Sequence, residues 1–133
     1  GPPIKNLSLV LKSYNEENKN SKILASIRYW QIQVSRLKAL LLGPLAVRKE
    51  LQGSGFGKKL VKKSLKIAKT NNWNICFVSG EYNYFKQFGF EKISNSKLIL
   101  PGYIESNRIL VKFLEEKNIL ELGNPPWKLE SFH

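Results

Sequence analysis

The residues best placed to do chemistry are Gln52-Gly53-Ser54-Gly55-Phe56-Gly57. They lie shortly after an apolar run ending Leu45-Ala46-Val47 and directly before a segment of helical pattern. Glycine lets a backbone pass close to a ligand and take positive φ, and the first N–H groups of a helix have no intrahelical acceptor. Together they make a cradle for an anion, phosphate oxygens above all. Spacing excludes two familiar phosphate loops. A dinucleotide fingerprint needs G-x-G-x-x-G, and the glycines here stand at 53, 55 and 57. A Walker loop needs G-x-x-x-x-G-K-[ST], but Gly53 and Gly57 enclose only three residues and Lys58 is followed by Lys59. Other chemistries find no material. No Cys, His and Asp cluster has metal-ligand spacing, no nucleophilic triad can be assembled, and the one histidine, His133, is terminal.

The elements that must hold this loop follow from hydrophobic periodicity. Leu7 to Ser13 alternates as a strand, Asn15 to Ser21 is a polar turn, and Ile23 to Val34 completes a hairpin. Ala39 to Val47 is a third strand, interrupted at Gly43-Pro44; a proline removes a ladder donor, which predicts a bulge or a splayed edge. From Phe56 to Thr70, Leu60, Val61, Leu65 and Ala68 fall at helical spacing, and Lys58, Lys59, Lys62, Lys63, Lys66 and Lys69 occupy the other face. Asn71-Asn72 ends that helix. A strand over 74–79, a helix over about 81–88, a strand near 90–93 and a last strand over 107–114 follow. In the tail, Asn124-Pro-Pro-Trp127 reads as a turn or extended piece that covers an edge or a partner chain, and Trp127 with Phe132 is a candidate homodimer surface.

A chain of 133 residues, 42% apolar and 24% charged, fits one globular domain spanning 1–133 and is short for two. No apolar stretch approaches the ~18 residues of a membrane span. The single Cys76 excludes an intrachain disulfide, and a reducing cytoplasm is the expected setting. The formal charge of +12 invites a nucleic-acid reading, yet lysine outnumbers arginine 18 to 4 and no reader motif is present. Specific nucleic-acid recognition and membrane binding are therefore not expected.

The order L-A-V, then Gln52-x-x-Gly55-x-Gly57, then a strand Asn74 to Ser79 and Gly80 to Phe90 ending in Gly89-Phe90, resembles the GNAT N-acetyltransferase superfamily. The similarity covers roughly Leu7 to Leu114. It implies an α/β (α+β) fold, a mixed and mostly antiparallel central sheet with flanking helices. It also implies acetyl-CoA as cosubstrate, with no metal, and a small-molecule or peptide amine as acceptor. By position, the amides of Gln52, Gly53, Ser54, Gly55, Phe56, Gly57 and Lys58 are expected on the pyrophosphate. Leu45, Ala46 and Val47 are expected along the pantetheine and acetyl group, one of their N–H groups serving as oxyanion donor. Relative to the family, a first strand and helices are expected to be missing, either because the sequence is part of a longer product or because the member is short.

Two residues are candidates for proton transfer. Many family members donate the proton to the departing thiolate from a tyrosine whose position here is Phe85, which has no proton to give. Tyr84, its neighbour, is the candidate acid, with Tyr82 and solvent as alternatives; one helical residue turns a side chain by ~100°, so the replacement is not automatic. Glu81 is the candidate base, acting through water. Plainer roles exist for each: packing of amphipathic rings for the tyrosines, and a favourable helix N-terminal charge for Glu81. A coenzyme A-binding module without turnover is the alternative reading, and a basic nucleic-acid-binding domain the third.

Overall fold

The computed structural model describes residues 2–102, 108–115 and 122–131. Strand β1 (Leu9–Asn15) and the long β2 (Asn20–Val34) form the hairpin, closed by a polar turn in which the Asn15 side chain accepts from the Glu17 amide. β3 (Leu37–Val47) returns antiparallel to β2, and a single turn of 3-10 helix (Lys49–Leu51) leads to the glycine loop and helix α1 (Phe56–Thr70). β4 (Ile75–Ser79) then enters parallel to β3, followed by the short α2 (Tyr82–Phe85), which tightens into a 3-10 turn over Lys86–Phe88. β5 (Glu91–Lys92), β6 (Leu98–Ile99), β7 (Ile109–Phe113) and β8 (Trp127–Ser131) complete a sheet of order β5-β7-β4-β3-β2-β8-β6, with β1 also on β2. Among the described residues only β3–β4 and β6–β8 are parallel, so the sheet is mixed and mostly antiparallel.

The sheet is covered on both faces, which explains the unbroken apolar run of β4. Cys76 and Val78 face α1 in a cluster with Tyr29, Leu40, Leu42, Val61 and Phe90. Ile75 and Phe77 face the other way, into a cluster with Ile32, Val34, Leu98, Val111 and Leu129. Successive residues of a strand point to opposite faces, so burial on both requires apolar residues at every position. The polar group buried in α1, Ser64, is satisfied: it donates to the Leu60 carbonyl at 2.7 Å and lies 2.7 Å from the Tyr29 hydroxyl.

Several boundaries differ from those that periodicity predicts. The first strand runs Leu9–Asn15, because Leu7 is fully buried in the preceding turn and does not belong to the ladder. The helix expected over 81–88 is one turn of α followed by one of 3-10. Neither the two-residue β6 nor β8 follows from period alone. β8 pairs with the C-terminal half of β2 beside β1, so the extended piece beginning at Trp127 covers a sheet edge. Phe132 lies outside the described residues.

Candidate active site

The site starts at a bulge in β3. Ile27 pairs with Leu45 and Tyr29 with Leu42, so Gly43 and Pro44 together oppose Arg28 alone. A one-residue insertion reverses the alternation of everything beyond it. Leu40 and Leu42 face α1 before the bulge; Leu45 and Val47, of opposite parity, face α1 after it. The backbone follows. The Arg48 amide donates to the Leu24 carbonyl at 2.9 Å, so by alternation Ala46 also turns its N–H and C=O to β2, and Leu45 and Val47 turn theirs away. β4 pairs with β3 only over Leu40–Leu42. Leu45 and Val47 therefore present backbone with no strand partner to an open slot, the Val47 carbonyl accepting from the Gln52 side-chain amide at 3.4 Å, and this is the geometry in which an extended amide-bearing ligand adds as a strand.

The glycine loop lies at the end of this slot. Gly53 and Gly55 take φ of 86° and 90°, a region in which a Cβ is strained. Gly55 caps α1 with no side chain, and Lys59 is the first residue of α1 to donate, to the Gly55 carbonyl at 3.0 Å. The Gln52 and Ser54 amides are used inside the loop, on the Lys49 and Leu51 carbonyls. Those of Gly53, Gly55, Phe56, Gly57 and Lys58 have no acceptor among the described residues. Lys58 and Lys59 occupy the first turn, which has no acidic residue. Cations at the positive end of a helix are unfavourable by ~0.3–1 kcal/mol each, and a bound anion reverses that sign.

Leu45, Val47, Leu51, Gln52, Gly53, Gly55, Phe56, Gly57, Lys58, Tyr84 and Gln87 enclose a cleft of about 400 Å³. Of the residues expected on the cofactor, Ala46 points to the opposite face, and the Ser54 hydroxyl turns back to the Leu51 carbonyl. Gly57 is buried where the walls meet. A Cβ there would stand 3.2 Å from both the Tyr84 hydroxyl and Val47 Cγ2, so only glycine leaves this corner open. Leu51 and Gln87 are cleft residues that sequence reasoning missed. Gln87 lies three residues beyond Tyr84 on the same helical path and donates to its carbonyl at 2.8 Å, a spacing that could have revealed it.

The structure separates Tyr84 from Tyr82 and Glu81. Tyr84 turns its hydroxyl into the cleft, its ring edge-on to Phe85 at 5.0 Å and Phe88 at 5.6 Å, and burial holds its phenol above the usual range. Phe85 is buried beneath the Gly80 turn, where a Cβ on Gly80 would lie 2.5 Å from its ring. Tyr82 stacks under Lys92, 4.9 Å from the ring centre, in a second cleft of about 420 Å³ that also holds Glu81 and Arg108. There the Glu81 carboxylate accepts from Arg108 at 3.0 Å. Glu81 and Tyr84 are thus not brought together in one site. Cys76 is fully buried, and burial pushes its thiol far above the ordinary range, so it offers no thiolate. Among the described residues there is no group of three metal-ligating side chains, and no helix is long and apolar enough to cross a membrane.

Similarity to solved structures follows this architecture. A GNAT family N-acetyltransferase, YhbS, from Escherichia coli in complex with CoA has a TM-score of 0.72 at 19% identity, over 93% of this chain and 67% of that one. A GNAT family acetyltransferase from Brucella melitensis in complex with acetyl-CoA has a TM-score of 0.62 at 18% identity, over 86% and 62%. An acetyltransferase of the GNAT family from Staphylococcus aureus Mu50 has a TM-score of 0.55 at 17% identity, over 84% and 70%. The chain thus spans between 62% and 70% of the length of these three. No curated protein matches it in sequence. Likeness at such identity shows the fold; the family is shown by the sequence model for acetyltransferase (GNAT), which matches residues 6–90, and the chain belongs to that family.

Proposed function

We propose that this protein is an acetyl-CoA-dependent N-acetyltransferase that acts by direct attack of an acceptor amine. The observation that carries the reading is the cleft itself. Five amides with no acceptor among the described residues form one wall at a helix N-terminus, strand backbone at Leu45 and Val47 that no neighbouring strand pairs forms another, and one phenol, Tyr84, points inward. The Escherichia coli and Brucella melitensis relatives, bound to CoA and acetyl-CoA respectively, support the choice of ligand.

Bound there, acetyl-CoA supplies an activated acyl carbon. The amides of Gly53, Gly55, Phe56, Gly57 and Lys58 hold its phosphates, with Lys58 adding charge. The backbone of Leu45 and Val47 orients the pantetheine arm, and a Leu45 or Val47 N–H polarises the thioester oxygen. The acceptor nitrogen forms its bond to the acyl carbon as the carbon–sulfur bond breaks. Tyr84 gives its proton to the leaving sulfur, and the proton of the acceptor nitrogen leaves to water, since Glu81 is held on Arg108 in the other cleft. Direct attack is favoured over a covalent enzyme intermediate because the one cysteine is buried and neutral.

Calorimetric titration of acetyl-CoA into the protein tests the reading. Micromolar affinity that weakens as salt rises supports it, since phosphate contacts are screened. No measurable binding refutes it. Binding with no turnover across a panel of amines favours the coenzyme A-binding module, for which the buried Phe85 at the position of the family tyrosine is the specific argument.

A further inference from the structure

The bulge in β3 is held by a residue that no part of the chemistry names. At a bulge the extra residue has a carbonyl with no ladder partner, and a buried orphan carbonyl is destabilising. Gly43 is that residue, and its carbonyl accepts from the Trp30 indole N–H at 2.6 Å. Trp30 stands on β2 opposite Leu41, next to the point where the register shifts. Gly43 itself takes φ of 136°, open to glycine and strained for other residues, and no atom lies within 4 Å of a Cβ built there, so the space on that side of the residue is open. Pro44 has no N–H with which to resume pairing. The indole therefore anchors the bulged carbonyl from the side of β2.

We propose that Trp30 is a positioning residue for the acetyl-bearing arm of the cosubstrate. By holding the Gly43 carbonyl it fixes the bulge, and the bulge alone sets the alternation that aims the backbone of Leu45 and Val47, rather than that of Ala46, into the slot beside β4. The glycine loop depends on it less, because Arg48 donates to the Leu24 carbonyl beyond the bulge and the loop closes on its own Lys49 and Leu51 carbonyls. The inference rests on the acetyl-CoA reading above and predicts a division within that ligand. Loosening the bulge weakens the hold on the pantetheine arm and spares the phosphate cradle.

Trp30→Phe keeps a ring and removes the donor. Calorimetry with acetyl-CoA and with adenosine 3′,5′-bisphosphate, which has phosphates but no pantetheine, separates the two parts. The expected result is acetyl-CoA affinity reduced about tenfold, the scale of one lost hydrogen bond, with bisphosphate affinity within about twofold of the parent. Parallel loss of both ligands, as a purely structural role would give, overturns the proposal, and so does unchanged acetyl-CoA affinity. Failure of the unsubstituted protein to bind acetyl-CoA would instead refute the function reading, so the two failures are distinct. If Trp30→Phe does not fold, the indole N–H resonance of Trp30 in the unsubstituted protein decides, assigned by Trp73→Phe and Trp127→Phe. Acetyl-CoA is expected to shift that resonance and the bisphosphate to leave it in place; a resonance unmoved by acetyl-CoA overturns the proposal.

Discussion

Adding one methyl group at Gly57 tests whether the cleft is the cofactor site, and the structure fixes the terms. In Gly57→Ala the new carbon stands 3.2 Å from the Tyr84 hydroxyl, 3.2 Å from Val47 Cγ2 and 3.7 Å from Leu45 Cδ2. The first two contacts fall inside the ~3.5–4.0 Å optimum between non-bonded atoms, so both neighbours must yield by a few tenths of an ångström. The Tyr84 hydroxyl is the far end of a side chain and can move; Val47, β-branched on a paired strand, is stiff. Overpacking of this kind costs ~1–3 kcal/mol, and replacing a helical glycine by alanine returns ~0.5–1 kcal/mol, leaving a net loss of about 1 kcal/mol. Thermal unfolding should show a fall of roughly 4 °C. The effect on the ligand should be larger than on the fold, because the methyl group fills the corner between the unpaired amides and the slot. Acetyl-CoA affinity measured by calorimetry at a temperature where the variant is fully folded is expected to fall at least about tenfold, or ~1.4 kcal/mol. A variant that loses stability as expected yet binds acetyl-CoA as the parent does would show that the ligand does not use this corner.

Three further outcomes follow from the same geometry. Tyr84→Phe should lower kcat by about 10²-fold or more with acetyl-CoA affinity nearly unchanged, the split expected of a proton donor; equal kcat in the two proteins assigns the proton to solvent. A general acid acts in its protonated form, and burial lifts the Tyr84 pKa above the ordinary 10.0, so its acid form persists through neutral pH and is lost only as pH rises through the lifted value. The alkaline limb of a kcat profile should therefore lie above pH ~10 and be absent in Tyr84→Phe. Phe85→Tyr should not raise the rate, since that ring lies under Gly80 and among Phe88 and Phe90; it should instead lower the unfolding midpoint by burying a hydroxyl, and a gain in kcat would contradict the placement of Phe85.

Much of the fold was legible because its patterns are local. Helix α1 has the bounds predicted, Phe56–Thr70, since its apolar stripe, its glycine entry and Asn71-Asn72 all agree on one element. β4 was legible as an apolar run for the opposite reason, two buried faces leaving no alternation to misread. β6 and β8 were not, because each is defined by what it pairs with rather than by its own period. The glycine loop was legible in type and less so in detail. Glycine spacing marks a cradle, but which amides are free depends on turns closed by Lys49 and Leu51, outside the motif.

The direction of side chains next to a glycine or a helix start is where sequence reasoning runs out. Glu81 is the residue before α2, with extended backbone rather than helical, so its carboxylate takes no position on the helical wheel that places Tyr84. Arg108, 27 residues away in sequence, draws it to the far cleft. The bulge is the sharper case. Pro44 announces an irregularity, yet alternation counted straight through Gly43-Pro44 puts Ala46 on the face that Leu45 and Val47 occupy. Whether an irregular pair counts as one step or two depends on a partner for the Gly43 carbonyl, and that partner, Trp30, lies 13 residues upstream on another strand. The backbone that faces the slot is thus set by a tertiary hydrogen bond and not by the motif beside it.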